Sequence, residues 1–326
     1  MWCEGAFGKI ILLGEHSVVY GGPALCAALT KGVLVESTVG TGCLAMPEWN
    51  FSTPSYAQLL QDPSARSQHT LTQVYFATAQ AVFSALDVPP GKRFMPRSFT
   101  ARFQIPTGSG LGSSAALSVA LVRALFHTFD TRPTPQQIDS CALVAETVFH
   151  GNPSGLDHTV ARAGGCGLFS RSEGFSPLKD VPAVRICVAD SGLPRDTKGC
   201  VAAVRDMYVA QPRETLSVFT RIGRLVERAA EALLDSNWGE LGHCMTENQL
   251  CLQTLGVSNR LTEVICEKAR LAGAAGAKLT GGGRGGCIIA LPATQNKASV
   301  QDVLAVWREM GLKTFVIRVG GKAESL

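Results

Sequence analysis

Residues 106–115, reading PTGSGLGSSA, constrain this chain more than any other segment. They follow a stretch in which Phe99, Ala101, Phe103 and Ile105 alternate with more polar residues, and they precede an apolar run over 115–126. Alternation of that kind predicts a strand, and an unbroken apolar run of that length predicts a buried helix. A glycine-rich turn between them leaves backbone N–H groups pointing one way. With the positive end of the helix dipole, that makes an anion site suited to phosphate. Ser113 and Ser114 stand where the helix begins, within reach of a phosphate or a magnesium ion.

The familiar phosphate loops do not fit. No lysine precedes the final serine, as a Walker loop requires. Gly108, Gly110 and Gly112 give G-x-G-x-G and not the dinucleotide G-x-G-x-x-G, although Asp130 lies about 20 positions on. The plain alternative is a turn that merely joins strand to helix.

Length and composition narrow the field. A chain of 326 residues predicts two domains, and 46% hydrophobic with 17% charged residues describes an ordinary globular protein. A net charge of +4 without like-charge runs argues against nucleic-acid and membrane-surface partners. No apolar stretch reaches the length of a membrane span, and no signal peptide is expected. Eleven cysteines without a C-x-x-C pair predict reduced thiols in the cytoplasm. The end of the chain, Glu324-Ser325-Leu326, is a poor version of the peroxisomal tail and carries no weight.

Strands are predicted at 9–13, 33–39, 99–105, 184–189, 287–291 and 313–319. Thr134, Pro135 and Gln137 form a helix start, with Ile138, Cys141, Ala142, Ala145 and Phe149 at helical spacing and Gly151 as the stop. Further helices are expected at 213–234, 241–255, 261–271 and 299–310. The irregular alternation argues against a doubly wound sheet and predicts an α+β fold, with domains 1–180 and 181–326.

Local pattern alone gives four polar residues bland readings, with an alternative at two of them. Glu146 falls about 80° around the helical wheel from Ile138, half inside, as a solvated flank or a metal ligand facing a cleft. Asp157, in the turn-forming stretch HGNPSGLD, is a turn or cap residue on local grounds. Lys9, at the start of an apolar strand, is expected to be exposed or paired. His16, taken alone, is a satisfied structural histidine.

The pattern P-x-x-x-G-L-G-S-S-A, met by Pro106, Gly110, Leu111, Gly112, Ser113, Ser114 and Ala115, resembles the central motif of the GHMP kinases. Gly8 to Gly22, GKIILLGEHSVVYGG, is similar to that family's first motif, and Lys278 to Cys287, KLTGGGRGGC, to its third. The resemblance implies an N-terminal domain like a ribosomal-protein fold, a helix-rich C-terminal domain, and an active site in the cleft between them. It implies ATP binding by Gly108, Ser109, Gly110, Leu111, Gly112, Ser113 and Ser114, and magnesium held by Ser114 and Glu146. Asp157 would be the catalytic base, with Lys9 beside it. Lys9, Glu15, His16, Asp157 and Thr197 would meet the acceptor, His16 through its hydroxyl or carboxylate, and Arg195 and Lys198 would add positive charge.

Within the family, HGNPSGLD is most like the members that act on mevalonate. The implied reaction is ATP- and magnesium-dependent phosphorylation of the 5-hydroxyl of (R)-mevalonate to 5-phosphomevalonate, in isoprenoid synthesis. The alternatives are another small alcohol or phosphomevalonate as acceptor, or a relative that binds ligands without turnover. Monomers and homodimers both occur in such families. Two departures stand out: Phe7 replaces the usual proline before Gly8-Lys9, and Arg284 interrupts the third glycine loop, facing either a phosphate or solvent.

Overall fold

The computed structural model describes residues 2–151, 153–194 and 196–321. The first half opens with two long strands, β1 (Trp2–Leu13) and β2 (Ala24–Val39), and two short ones, β3 (Leu44–Met46) and β4 (Phe51–Ser52). Helices α1 (Tyr56–Gln61), α2 (Pro63–Ser67) and α3 (Thr70–Ala85) lead to β5 (Arg97–Phe103). Next come α4 (Ser113–His127), α5 (Pro135–His150), α6 (Leu156–Ala163), β6 (Cys166–Ser170) and β7 (Gly174–Pro177). The second half begins with β8 (Val184–Asp190) and four helices: α7 (Thr197–Ala210), α8 (Pro212–Leu234), α9 (Trp238–Thr254) and α10 (Arg260–Leu271). It closes with β9 (Ala274–Leu279), β10 (Cys287–Pro292), α11 (Lys297–Glu309) and β11 (Lys313–Val319).

The fold is α+β, as expected. One sheet runs β4-β3-β5-β2-β6-β7 with β1 paired onto β2; the other runs β11-β8-β10-β9. Every pairing is antiparallel except β3 with β5. The sheets meet through a shared apolar cluster, in which Ile10 and Leu12 of β1 pack with Val188 of β8, Ile222 of α8 and Leu252 of α9. A second cluster fills the space beneath α3, α4 and α5, and a third lies under α10 and α11. We propose the domain boundary in 178–183, between β7 and β8.

Local chemistry accounts for the elements that carry the site. Helix α5 starts on the expected capping box: Gln137 N–H donates to the Thr134 hydroxyl at 3.2 Å, and Thr134 N–H donates to Gln137 Oε1 at 2.9 Å. Helix α4 has Gly112 at its N-cap with no side-chain cap, which leaves its first amides unsatisfied. β1 starts seven residues earlier than the apolar pattern suggested, because the alternation before Lys9 is diluted by small residues. Lys9 is therefore inside a strand and not at its start. Helix α7 has no counterpart in the sequence pattern; Asp196 caps it by accepting from Gly199 N–H at 2.8 Å. Asn152, Arg195 and the tail 324–326 lie outside the described residues.

Candidate active site

A cleft of about 750 Å³ is lined from both halves of the chain. The glycine turn that precedes α4 forms one wall. Gly108, Gly110 and Gly112 all adopt positive φ, at 71°, 97° and 73°. The turn is tied down on two sides, by Lys9 N–H to Leu111 O at 2.9 Å and by Cys287 N–H to Ser109 O at 3.1 Å. Gly108, Gly110, Gly112, Ser113 and Ser114 line the cleft. The side chains of Ser109 and Leu111 do not: the Ser109 hydroxyl turns back to Pro106 O at 2.8 Å, and Leu111 is part of the shared core.

Lys9 and Asp157 meet at 2.9 Å, Nζ to Oδ1. Lys9 is 3% exposed in its side chain and Asp157 35%, so the lysine is locked and the carboxylate reachable. Of the two readings of Lys9, exposed or paired, the geometry gives the paired one, and the lysine is buried. A bulge between Phe7 and Lys9 turns the strand, and the glycine turn closes over the lysine stem. The aspartate stands in the first turn of α6, whose N-cap is Gly155.

Glu146 is fully buried, not half inside. The wheel angle was right, but α4 packs over that rim of α5. Ser118 donates to its Oε1 at 3.0 Å and Ser114 to its Oε2 at 3.4 Å. His150, one turn on, brings Nε2 within 3.0 Å of the Ser114 hydroxyl and 3.7 Å of the Glu146 carboxylate. Burial, and then the charge of Asp157, push the Glu146 carboxyl up to about 8. Without a cation it therefore holds a proton at neutral pH. Its oxygen and that of Ser114 form a two-oxygen donor set on the cleft wall, the chemistry a hard divalent cation takes. Among the described residues, no group of three or more His, Cys, Asp or Glu is arranged to hold a metal by itself.

Glu15 and Lys278 form a fully buried ion pair between the two sheets, and Lys278 also donates to Leu279 O at 2.6 Å. Burial pulls the Lys278 ammonium below the ordinary lysine value, partly offset by Glu15. Glu15 lines the cleft, and its Oε2 has no hydrogen-bond partner among the described residues. His16 is buried too, with Nε2 at 2.9 Å from Gly282 O. Burial lowers its pKa, so the ring is neutral.

Thr197 and Lys198 open α7 and line the cleft opposite Gly281 and Gly282. The third glycine loop is thus both a β9–β10 hairpin and a wall of the cleft. Arg284 takes the second of its two expected placements: it is exposed and does not line the cleft. Its Nε donates to Gly256 O at 3.1 Å and its backbone N–H to Val257 O at 2.8 Å, which ties the glycine hairpin to the loop that follows α9.

Sequence reasoning passed over three residues that the site uses. Ser118 lies one turn after Ser114 on α4, and His150 one turn after Glu146 on α5, so helical spacing was the available signal. Lys278, a lone charge in the apolar strand AAGAKL, was a signal of burial with a partner.

Comparison with known proteins agrees with the geometry. The family model described as GHMP kinases N terminal domain matches residues 75–165, and that described as GHMP kinases C terminal matches residues 229–312. The mevalonate kinase of Thermococcus sibiricus is 32% identical over 335 residues, covering 98% of this chain and 97% of that protein. L. major mevalonate kinase, solved in complex with R-mevalonate, superposes with a TM-score of 0.79 at 28% identity, covering 99% and 97%. The Methanococcus jannaschii mevalonate kinase shares the fold at a TM-score of 0.83 and 21% identity, covering 98% of each chain. With its motifs assembled around one cleft and full-length similarity of this degree, the chain belongs to the GHMP kinase family.

Proposed function

We propose that this protein transfers the γ-phosphoryl group of ATP to the 5-hydroxyl of (R)-mevalonate, releasing ADP and 5-phosphomevalonate. The observation that carries the reading is the Lys9–Asp157 contact at 2.9 Å, placed in one cleft with the open amides of α4. Mevalonate as acceptor is supported by the named relatives and by the HGNPSGLD stretch that presents Asp157.

The glycine turn and the start of α4 hold the triphosphate through backbone N–H groups and the helix dipole. Asp157 orients the acceptor hydroxyl and takes its proton as the oxygen–phosphorus bond forms and the bond to the departing β-phosphate oxygen breaks. The Lys9 ammonium, fixed beside that carboxylate, offsets negative charge on the oxygens that exchange phosphorus. Ser114 and Glu146 are the residues that would hold magnesium. When bound, the ion neutralises charge on the β- and γ-phosphates. Ser118 and His150 fix those two oxygen donors. We assign the reaction to the cytoplasm, the compartment that a chain with eleven cysteines and no C-x-x-C pair suits.

The test is coupled ADP release with ATP and magnesium, offering mevalonate, phosphomevalonate, galactose and homoserine side by side. Turnover confined to mevalonate is expected. Turnover on a different acceptor would leave the phosphate chemistry standing and remove the substrate.

A further inference from the structure

Gly14, Glu15 and His16 follow β1, and each bonds to a different part of the C-terminal half. The Gly14 N–H donates to Asn248 Oδ1 on α9 at 3.1 Å, the Glu15 carboxylate accepts from Lys278 of β9, and the His16 ring meets Gly282 O in the glycine hairpin at 2.9 Å. The backbone held in this way is unusual. Gly14 has a φ of 103° and His16 a φ of 62°, the left-handed region that residues other than glycine rarely enter. Such a conformation persists where its surroundings enforce it, and it gathers at sites where a side chain must be aimed.

The three ties differ in kind. Two are hydrogen bonds between neutral groups. The third takes an ammonium and a carboxylate out of water, with side-chain exposures of 0% for Lys278 and 1% for Glu15. Desolvation cancels much of the attraction in such a pair, and hydrocarbon of the same volume often serves stability as well. Stability alone therefore does not account for a lysine in the otherwise small and apolar strand AAGAKL.

What the ammonium achieves is orientation. It donates to Glu15 Oε1 and to Leu279 O, which fixes the carboxylate in one rotation. Oε2 is left without a partner among the described residues, on a side chain that lines the cleft. A buried carboxylate oxygen without a donor is unfavourable until something supplies one, and the acceptor proposed above brings hydroxyls. Lys278 is fully buried and does not line the cleft, so its action on a ligand runs through Glu15.

We propose that Lys278 is a positioning residue for the acceptor: it touches no substrate, and it holds the Glu15 carboxylate so that Oε2 receives a hydrogen bond from the bound alcohol. The inference rests on the mevalonate reading. It is tested with K278M, E15Q and the double variant E15Q/K278M, measuring melting temperature and the KM of each substrate. K278M strands a lone carboxylate in the seam. It should melt below the wild type and raise KM for mevalonate about tenfold, with KM for ATP nearly unchanged. The double variant, with no lone charge, should regain most of the melting temperature but not the KM. Because Lys278 acts through Glu15, E15Q and E15Q/K278M should share one KM for mevalonate, a comparison that holds even if K278M does not fold. Recovery of KM together with melting temperature in the double variant would make the pair a structural clasp and overturn the proposal. Equal rises in both KM values in K278M would overturn it too, as would a KM for mevalonate several-fold higher in the double variant than in E15Q. A wild-type enzyme that does not phosphorylate mevalonate would instead overturn the mevalonate reading, and this inference with it.

Discussion

Asp157 and Glu146 are both carboxylates on the cleft wall, and their surroundings differ in a way that suits the different roles proposed for them. Asp157 is reachable and lies against an ammonium, whereas Glu146 is sealed among hydroxyls and an imidazole. Replacing Asp157 by asparagine keeps the shape and removes the proposed proton acceptor. D157N should lose about 10²- to 10⁴-fold in kcat, with ATP affinity nearly unchanged in a nucleotide titration; near-normal turnover would take Asp157 out of that role. Glu146 carries a stability consequence as well. Its folded pKa of about 8 lies above the ordinary glutamate value of 4.5, so the folded state keeps a proton that the unfolded chain has lost. The stability this contributes is complete below pH 4.5 and is lost as pH rises through 8. E146Q has no proton to lose. Without magnesium its melting temperature should decline less than the wild type's between pH 6 and 9, while the magnesium response of activity is lost. Parallel melting curves would show that burial does not govern Glu146.

Among the elements, the glycine turn does two jobs that substitution can separate. A Cβ on Gly112 would lie 2.6 Å from Cγ of Lys9, at a φ of 73°. A Cβ on Gly108 meets nothing within 4 Å, at a φ of 71°. Both changes to alanine carry a backbone cost of about 1–2 kcal/mol. G112A should in addition displace Lys9 and lower kcat by at least about tenfold, the loss that accompanies a misplaced charge. G108A should act mainly on KM for ATP. Equal kcat in the two variants would mean the turn does not position Lys9. Helix α5 offers a control far from the chemistry: T134A removes a capping hydroxyl, at about 1 kcal/mol in denaturant melts, and should leave kcat unchanged.

At the scale of the molecule, the seam between the two halves is polar inside an apolar surround. Gly14 N–H donates to Asn248 Oδ1 at 3.1 Å, the Thr280 hydroxyl donates to Ile11 O at 2.9 Å, and His16 bonds to Gly282. Buried histidines make this assembly acid-sensitive. Burial lowers the pKa of both His16 and His158 from 6.5, so the unfolded chain takes up protons that the folded one refuses. Their contribution is complete above pH 6.5 and is lost as pH falls below it. The urea midpoint should therefore drop between pH 7 and 5, and less steeply in H158Q than in the wild type. An identical slope in H158Q would exclude His158 as a source.

Much of this was legible in the sequence because it is written locally. The glycine turn, the Thr134–Gln137 capping box and strand 313–319 each depend on residues a few positions apart, and each formed as read. The family motifs also named Lys9, Glu146 and Asp157, although local patterns left each with a bland reading. What tertiary structure decided was environment. Lys9 is buried because a bulge and the glycine turn close over it, and Glu146 is sealed because α4 crosses the rim of α5. Lys278 finds Glu15 across 263 positions of chain, and Arg284 bonds to the loop after α9 instead of lining the cleft. Burial, charge pairing and pKa are properties of what packs against a residue, and no spacing within one element encodes its neighbours from another.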